Sequence, residues 1–343
     1  MIQTVKLNQE RRTMKISYVL PEKTLENGEL AKLYPGWSEE KIFAKTGIRT
    51  RHVVSDGETA LDMAERAARK LIDEYGINTE DVDFVLLCTQ SPEYKLPTSA
   101  CMLQSRLGLK RTSGALDFNL GCSGYIYGLS LAKGLIQSGS AKNVLLVTSE
   151  AYSRYVHPMD KSARTIFGDG ASATLIDREA AKLIGAFSFG TDGGGARNLI
   201  VETGGARAPY DPDAPEEEDG SGNRRTRNNL FMNGVEIFNF TLEVIPETMR
   251  DILGKNSLAP QDIDLYVFHQ ANAFMLNAIR KTNLIPSGKF YIDMEDTGNT
   301  VSSTIPIALK RAETTGRLVP GMKVLSMGFG VGLSWGGTVF TWK

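Results

Sequence analysis

Apolar positions along this chain alternate between strand-like and helical spacing, and the switches mark the elements. Met14 to Leu20 reads as a first strand, stopped by Pro21. Asn27 to Tyr34 reads as a short helix, and Ser38, followed by Glu39 and Glu40, opens another. Thr46 to His52 is a turn into a strand. Thr59 to Tyr75 is strongly amphipathic: Leu61, Met63, Ala64, Ala67, Ala68, Leu71 and Ile72 face inward, and Gly76 ends the helix. Asp81 to Cys88 is a buried strand, Thr98 to Leu107 a helix, and Asn143 to Val147 a second apolar strand. The run Leu116-Asp-Phe-Asn-Leu passes through Gly121 into Cys122. Ile126, Leu129, Leu131, Leu135 and Ile136 then recur at helical spacing as far as Gly139. Phe167 to Ile176 is a glycine turn feeding a further strand.

The pattern repeats. Thr79 to Gln90 resembles Pro260 to Ala271, Leu116 to Cys122 resembles Ile292 to Asn299, and Asn143 to Val147 resembles Lys323 to Met327. The turn at Gly168 resembles the one at Gly330. Three of these matches are offset by 176 to 181 residues and the last by 162. Four matches in order indicate a duplicated α/β unit, with offsets too long for a solenoid. The expected fold is α/β: two similar halves, 1–185 and 186–343, each a mixed sheet with helices on its faces. The helix after Cys122 is the natural candidate for burial between the sheets. Within 206–229 the composition shifts to Asp211, Asp213, Glu216, Glu217, Glu218 and Asp219, then Arg224, Arg225 and Arg227, with three prolines. This stretch reads as a solvated, mobile surface insertion.

Composition narrows the function. In 343 residues, 41% hydrophobic and 23% charged content is ordinary for a soluble globular protein. A net charge of −1 gives no reason to expect nucleic acid or an anionic membrane surface as partner. Cys88, Cys101 and Cys122 are odd in number and lack metal-ligand spacing, which argues against a disulfide framework or a zinc site. No metal or cofactor is expected. There is no apolar run of membrane-spanning length, and residues 1–10 lack a signal-peptide core, so the expected location is the cytoplasm.

Three polar residues fall at equivalent strand ends or turns. Cys122 stands at a strand-to-helix turn, where unpaired N–H groups and the helix dipole favour a thiolate by about 0.3–1 kcal/mol when exposed and up to ~2 when partly buried. A small buried thiol is an equally good reading of Cys122 taken alone. His269 abruptly ends the apolar strand Tyr266-Val-Phe, and Asn299 lies in a glycine turn that opens a helix. Duplication can bring the three together. The Gly168-Asp-Gly170 and Thr191-to-Gly195 turns lack the lysine and spacing of phosphate loops, so close packing is the better reading.

Lys45-Thr-Gly-Ile-Arg49 with His52, Asp117 through Tyr125, Phe167-Gly-Asp-Gly170, His269-Gln-Ala-Asn272, Gly298-Asn299-Thr300 and Gly328-Phe-Gly330 together resemble the β-ketoacyl-acyl-carrier-protein synthase III family of the thiolase superfamily. The likeness runs nearly the whole length. It implies a layered α-β-α-β-α fold and decarboxylative condensation of an acyl primer with a malonyl thioester through an acyl-Cys122 intermediate. His269 and Asn299 would be the decarboxylation pair, and the backbone N–H groups of Cys122 and Val331 the oxyanion site. The implied partners are acyl carrier protein and acyl-CoA, and a homodimer is implied as well. Lys45, Arg49 and Lys161 are candidates for a carrier phosphate, although solvated surface is an equal reading for them. Gly234 and Asn272 are carried over as substrate-binding positions.

The sequence departs from that pattern. Lys41 stands where the family has a tryptophan for the CoA adenine, and Lys161 replaces an arginine. Leu96 replaces a phenylalanine supplied across the dimer, which leaves room for a longer or branched primer. Gly121 replaces an alanine and Val331 a glycine. With the insertion, these changes suggest a specialised paralogue and leave room for a primer already on a carrier protein. The rival readings are an acyltransferase on the same fold that forms an ester or amide without decarboxylation, and a silent partner subunit.

Overall fold

In a computed structural model, residues 14–343 are described; residues 1–10, where a leader was sought in the sequence, lie outside them. Ten strands form two sheets. The first holds β1 (Met14–Val19), β2 (Phe84–Cys88), β3 (Gly114–Phe118), β4 (Val144–Glu150) and β5 (Gly170–Ile176). The second holds β6 (Ile184–Thr191), β7 (Leu265–Phe268), β8 (Phe290–Tyr291), β9 (Lys323–Gly330) and β10 (Ser334–Thr341). The first sheet is ordered β1-β5-β4-β2-β3 and the second β6-β10-β9-β7-β8. The pairings match one for one: antiparallel for the first two neighbours in each sheet, parallel for the rest. The repeat read from the sequence is therefore a repeat of topology. The opening strand of the second sheet starts at Ile184 and so runs across the expected 185/186 division.

Three helices repeat as well: α1 (Ala60–Tyr75), α2 (Ser99–Arg106) and α3 (Gly124–Gln137), then α4 (Gly234–Lys255), α5 (Ala273–Thr282) and α6 (Thr304–Thr314). Apolar side chains sort them into layers. Leu61, Ala64, Ala68 and Leu71 of α1 pack with Leu103 of α2 against Val85, Leu87 and Val147 on the outer face of the first sheet. Ile126, Leu129 and Ala132 of α3, with Ile305, Ala308 and Leu309 of α6, lie between Leu86 and Leu146 of one sheet and Val267 and Val324 of the other. Ile245 and Ile252 of α4 and Leu276 and Ile279 of α5 cover Phe268, Leu325 and Met327 on the far side. The order is α-β-α-β-α, with α3 buried in the middle. Its apolar all-round sequence, unlike the one-sided α1, fits a helix with a sheet on either side.

The insertion is more ordered than its composition implied. Glu217–Glu218 pairs with Arg224–Arg225 as a small hairpin. Asp219 accepts from the backbone N–H of Ser221 at 2.9 Å and Asn223 at 3.0 Å and from Arg225 at 3.2 Å. Arg225 also reaches buried Asp160 at 3.5 Å. With the Asn223 side-chain NH₂, which donates to the same carboxylate at 3.0 Å and has the largest effect among them, these bonds hold the Asp219 carboxyl down to about 2 against the burial that opposes them. Part of the charged run is thus paired, while Asp213, Glu217 and Arg227 stay exposed.

Candidate active site

Cys122 follows β3 and precedes α3, but the helix begins only at Gly124, behind Ser123 as its cap. The thiol is fully buried, and burial followed by the nearby Glu150 carboxyl pushes its pKa up, not down. Of the two readings of Cys122 left open by the sequence, a helix-favoured thiolate and a small buried thiol, the resting state is the second. A dipole worth about 2 kcal/mol at most does not offset loss of solvent around a charge.

The second half closes on this turn through missing side chains. A Cβ at Gly328 would stand 2.6 Å from the Cys122 carbonyl oxygen, and one at Gly330 3.0 Å from Cys122 Sγ. The end of β9 therefore rides against the nucleophile's own backbone. Gly168 does the same on the other flank: a Cβ there would be 2.5 Å from the Thr297 carbonyl. The Gly168 N–H donates to the Asn299 carbonyl at 3.0 Å, and the Asn299 N–H donates to the Ile166 carbonyl at 2.9 Å. The glycine turn is a packing device between halves, as its sequence suggested.

These approaches bring Cys122, His269 and Asn299 to one cavity of about 110 Å³. Gly234 and Asn272 also line it, as do Phe167, Leu199 and Met275. The Asn299 side-chain oxygen accepts the Val301 N–H at 2.9 Å, which fixes the amide and leaves the NH₂ as the free end. His269 is 2% exposed, and burial lowers its pKa to about 3, so it is neutral at pH 7. Its Nδ1 lies 2.7 Å from the Thr304 hydroxyl oxygen, and that hydroxyl donates to the Val301 carbonyl at 3.0 Å. With its hydrogen spent there, the hydroxyl accepts from Nδ1–H, and Nε2 is left bare. Cys122 and Val331 fall outside the strand and helix ladders, and among the described residues no loop carbonyl takes their backbone N–H.

The outlying candidates stand apart from this cavity. Lys41 donates to the Gly36 carbonyl at 2.7 Å, and its ammonium lies 5.5 Å from the ring of Trp37, with that of Lys45 at 5.7 Å. An aromatic ring is therefore present beside Lys41, but both lysines sit over it. Arg49 stacks on Phe43 at 3.9 Å and pairs with Glu295 at 2.6 Å. Lys161 donates to the Ser221 carbonyl of the insertion. Leu96 is 82% exposed. Sequence reasoning passed over Glu150 and Thr304. Glu150 had a signal like that of His269: a polar residue closing an apolar strand. Thr304 had none, because its role depends on His269 being near.

Fold and cavity together define an acyl-transferring condensing enzyme of the thiolase fold. Family models described as 3-oxoacyl-[acyl-carrier-protein] synthase III and its C-terminal part match residues 116–193 and 253–342. The β-ketoacyl-[acyl-carrier-protein] synthase III of Caldanaerobacter subterraneus subsp. tengcongensis is 32% identical, over 94% of this chain and 95% of the relative. That of Clostridium perfringens is 34% identical, over 92% and 94%. A crystal structure of a 3-oxoacyl-(acyl-carrier-protein) synthase III superposes with a TM-score of 0.93 at 53% identity, covering 95% of this chain and 98% of that one. The chain belongs to the β-ketoacyl-[acyl-carrier-protein] synthase III family.

Proposed function

We propose that this chain condenses an acyl primer thioester with malonyl-acyl-carrier protein, releasing CO₂ and forming a 3-oxoacyl thioester. The reading rests on one observation: a buried thiol, a neutral imidazole and an oriented carboxamide, drawn from both halves, open on the same cavity. In the first half-reaction, bare Nε2 of His269 takes the Cys122 proton as sulfur attacks the primer carbonyl. The S–C bond forms, the carrier thiolate leaves, and the proton passes to it from Nε2. The N–H groups of Cys122 and Val331 are suited to the tetrahedral oxyanion. In the second, malonyl loses CO₂ and its negative charge moves to the thioester oxygen. The Asn299 NH₂ donates to that oxygen without giving up a proton that would quench the carbanion. His269 adds a second donor in its other tautomer: the Nδ1 proton is lost to water, Nε2 takes one from water, and the Thr304 hydroxyl then turns to donate to Nδ1. The carbanion attacks acyl-Cys122, and the expelled thiolate takes one proton from solvent.

We further infer a homodimer, acting in a reducing compartment such as the cytoplasm. Free Cys88, Cys101 and Cys122 suit that setting. Among the described residues no helix is long and apolar enough to cross a membrane. The deciding experiment is CO₂ release from malonyl-carrier protein in the presence of an acyl donor. Asn299→Ala should slow CO₂ release by about 100-fold or more, the scale of losing an oxyanion donor. Cys122 should still gain the acyl mass. Equal loss of both steps would contradict the division of labour, and acyl transfer without CO₂ in the wild type would favour simple acyl transfer to a hydroxyl or amine.

A further inference from the structure

The Cys122 cavity opens where α4 and α5 begin. Of the residues that line it, Gly234 alone is exposed, and Ile166, Met232 and Asn272 are partly so. Asn233 caps α4 by accepting the Glu236 N–H at 3.3 Å, and Asn272 caps α5 by accepting the Met275 N–H at 2.8 Å. If Cys122 works as proposed above, on which this inference rests, the malonyl thioester enters here. The carrier protein that holds it is then left standing over these two helix starts.

Each helix presents an exposed apolar side chain at its second position, beside the opening. Val235 is 68% exposed and Phe274 is 64% exposed. A first helical turn favours acidic groups there, through the helix dipole, so apolar residues at both starts need a reason. Phe274 is held in place: its ring stacks on Phe238 of α4 with centres 5.5 Å apart. Its neighbour Ala273 is wedged against Gly47, where a Cβ would stand 2.4 Å away. One turn further along the same faces come Asn239 and Asn277, both exposed and uncharged. Cations on the adjoining elements are turned to other partners. Lys45 lies over the Trp37 ring, Arg49 pairs with Glu295, and Arg280 donates to the Ile285 carbonyl at 3.2 Å. Lys281 is two turns along α5, about 10 Å from Phe274 along the axis. An ordered aromatic in an uncharged apolar rim has the make-up of the centre of a protein contact. A second copy of this chain seated on it would seal the entrance to Cys122.

We propose that Phe274 and Val235 are the centre of the surface on which the malonyl-carrier protein docks, and that they meet an uncharged apolar face of the carrier rather than forming ion pairs. The test compares CO₂ release from malonyl-carrier protein with release from malonyl-N-acetylcysteamine, which has no protein to dock. Cys122 is first acetylated with acetyl-N-acetylcysteamine. In the wild type, KM for malonyl-carrier protein should change by less than about threefold between about 50 and 500 mM salt, because apolar contact is not screened. Phe274→Ala should raise that KM by about tenfold or more, the scale of losing an aromatic anchor at an interface centre. It should leave turnover of malonyl-N-acetylcysteamine unchanged. Val235→Asn should act in the same direction without touching the Phe238 pair, so it carries the test if Phe274→Ala fails to fold. A larger salt effect, or a wild-type KM in both variants, would overturn the proposal, while turnover of the small thioester would keep Cys122, His269 and Asn299 in their roles. A shift from dimer to monomer in sedimentation equilibrium by either variant would also overturn it, by making the rim a contact between copies. No CO₂ from either malonyl thioester in the wild type would remove the proposed function and this proposal together.

Discussion

Glu150 brings a carboxyl group into a fully buried site whose partners are neutral. It accepts from the Gln90 N–H at 2.9 Å and from the Ser302 hydroxyl at 2.8 Å, so it ties β4 of the first half to the turn that carries Asn299. Burial raises its pKa from 4.5 to about 8. The sign follows from linkage: the folded state keeps a proton that the unfolded chain has already released. The stability this proton confers is fully present below about pH 4.5 and is lost as pH rises through about 8. Glu150→Gln cannot ionise and keeps the size and acceptor. Its Tm relative to the wild type should therefore climb by roughly 2–6 °C between pH 5 and 8.5, given about 1.4 kcal/mol per pKa unit and the usual conversion to Tm. Melting curves at a series of pH values would decide it; a Tm difference flat with pH would mean that Glu150 stays ionised. His269, held near 3, contributes nothing to an acid limb of activity above pH 5.

Among the elements, the last residues of β9 do most to make a site out of two halves. Gly328 has no room for a methyl against the Cys122 carbonyl at 2.6 Å and Ser123 Cα at 2.8 Å, both of them backbone atoms that cannot move aside. Gly328→Ala should destabilise the protein by about 1–3 kcal/mol through overpacking and stop acylation of Cys122. Thermal melts and intact mass would read the two effects, and normal acylation would show that β9 need not approach so closely. The glycine was visible in the sequence as part of a motif; its neighbour was not. The same limit explains the rest. Periodicity gave α1 and α3 and the strands of the first sheet, because those patterns are local, whereas β6 of the second sheet was not read. Arg51, by contrast, looks like a surface cation between Thr50 and His52. It is 0% exposed and spends its guanidinium on the Leu25 carbonyl at 3.1 Å, the Asn27 side chain at 2.8 Å and the Thr165 carbonyl at 3.0 Å. Its partners lie in other segments, and no pattern along the chain reports them. The ion pairs of the insertion were out of sight for the same reason, since some of its charges pair across the turn and with Asp160 and His157.

At the scale of the whole molecule, the two sheets match strand for strand except at one edge. The second sheet ends in β8, a strand of two residues, while its counterpart β3 has five and pairs on one side only, with β2. A short edge is protected by its brevity; a longer one is open to a second chain. β3 also carries Leu116, 44% exposed, and Asp117, whose carboxylate caps α2 through the N–H groups of Ser99 and Ala100, each at 2.6 Å. The segment leading into α2 holds Tyr94 and Leu96, 58% and 82% exposed. The apolar residues at this edge are thus gathered where the inferred homodimer would pair β3 with its copy. Such pairing would also carry Leu96 toward the other subunit and would cover it there. Lysine on an edge strand is a common block to pairing. Leu116→Lys should leave the fold intact by circular dichroism and shift the protein from dimer to monomer in sedimentation equilibrium. A variant that stays dimeric, or a wild type that is monomeric throughout, would put the interface elsewhere or remove it.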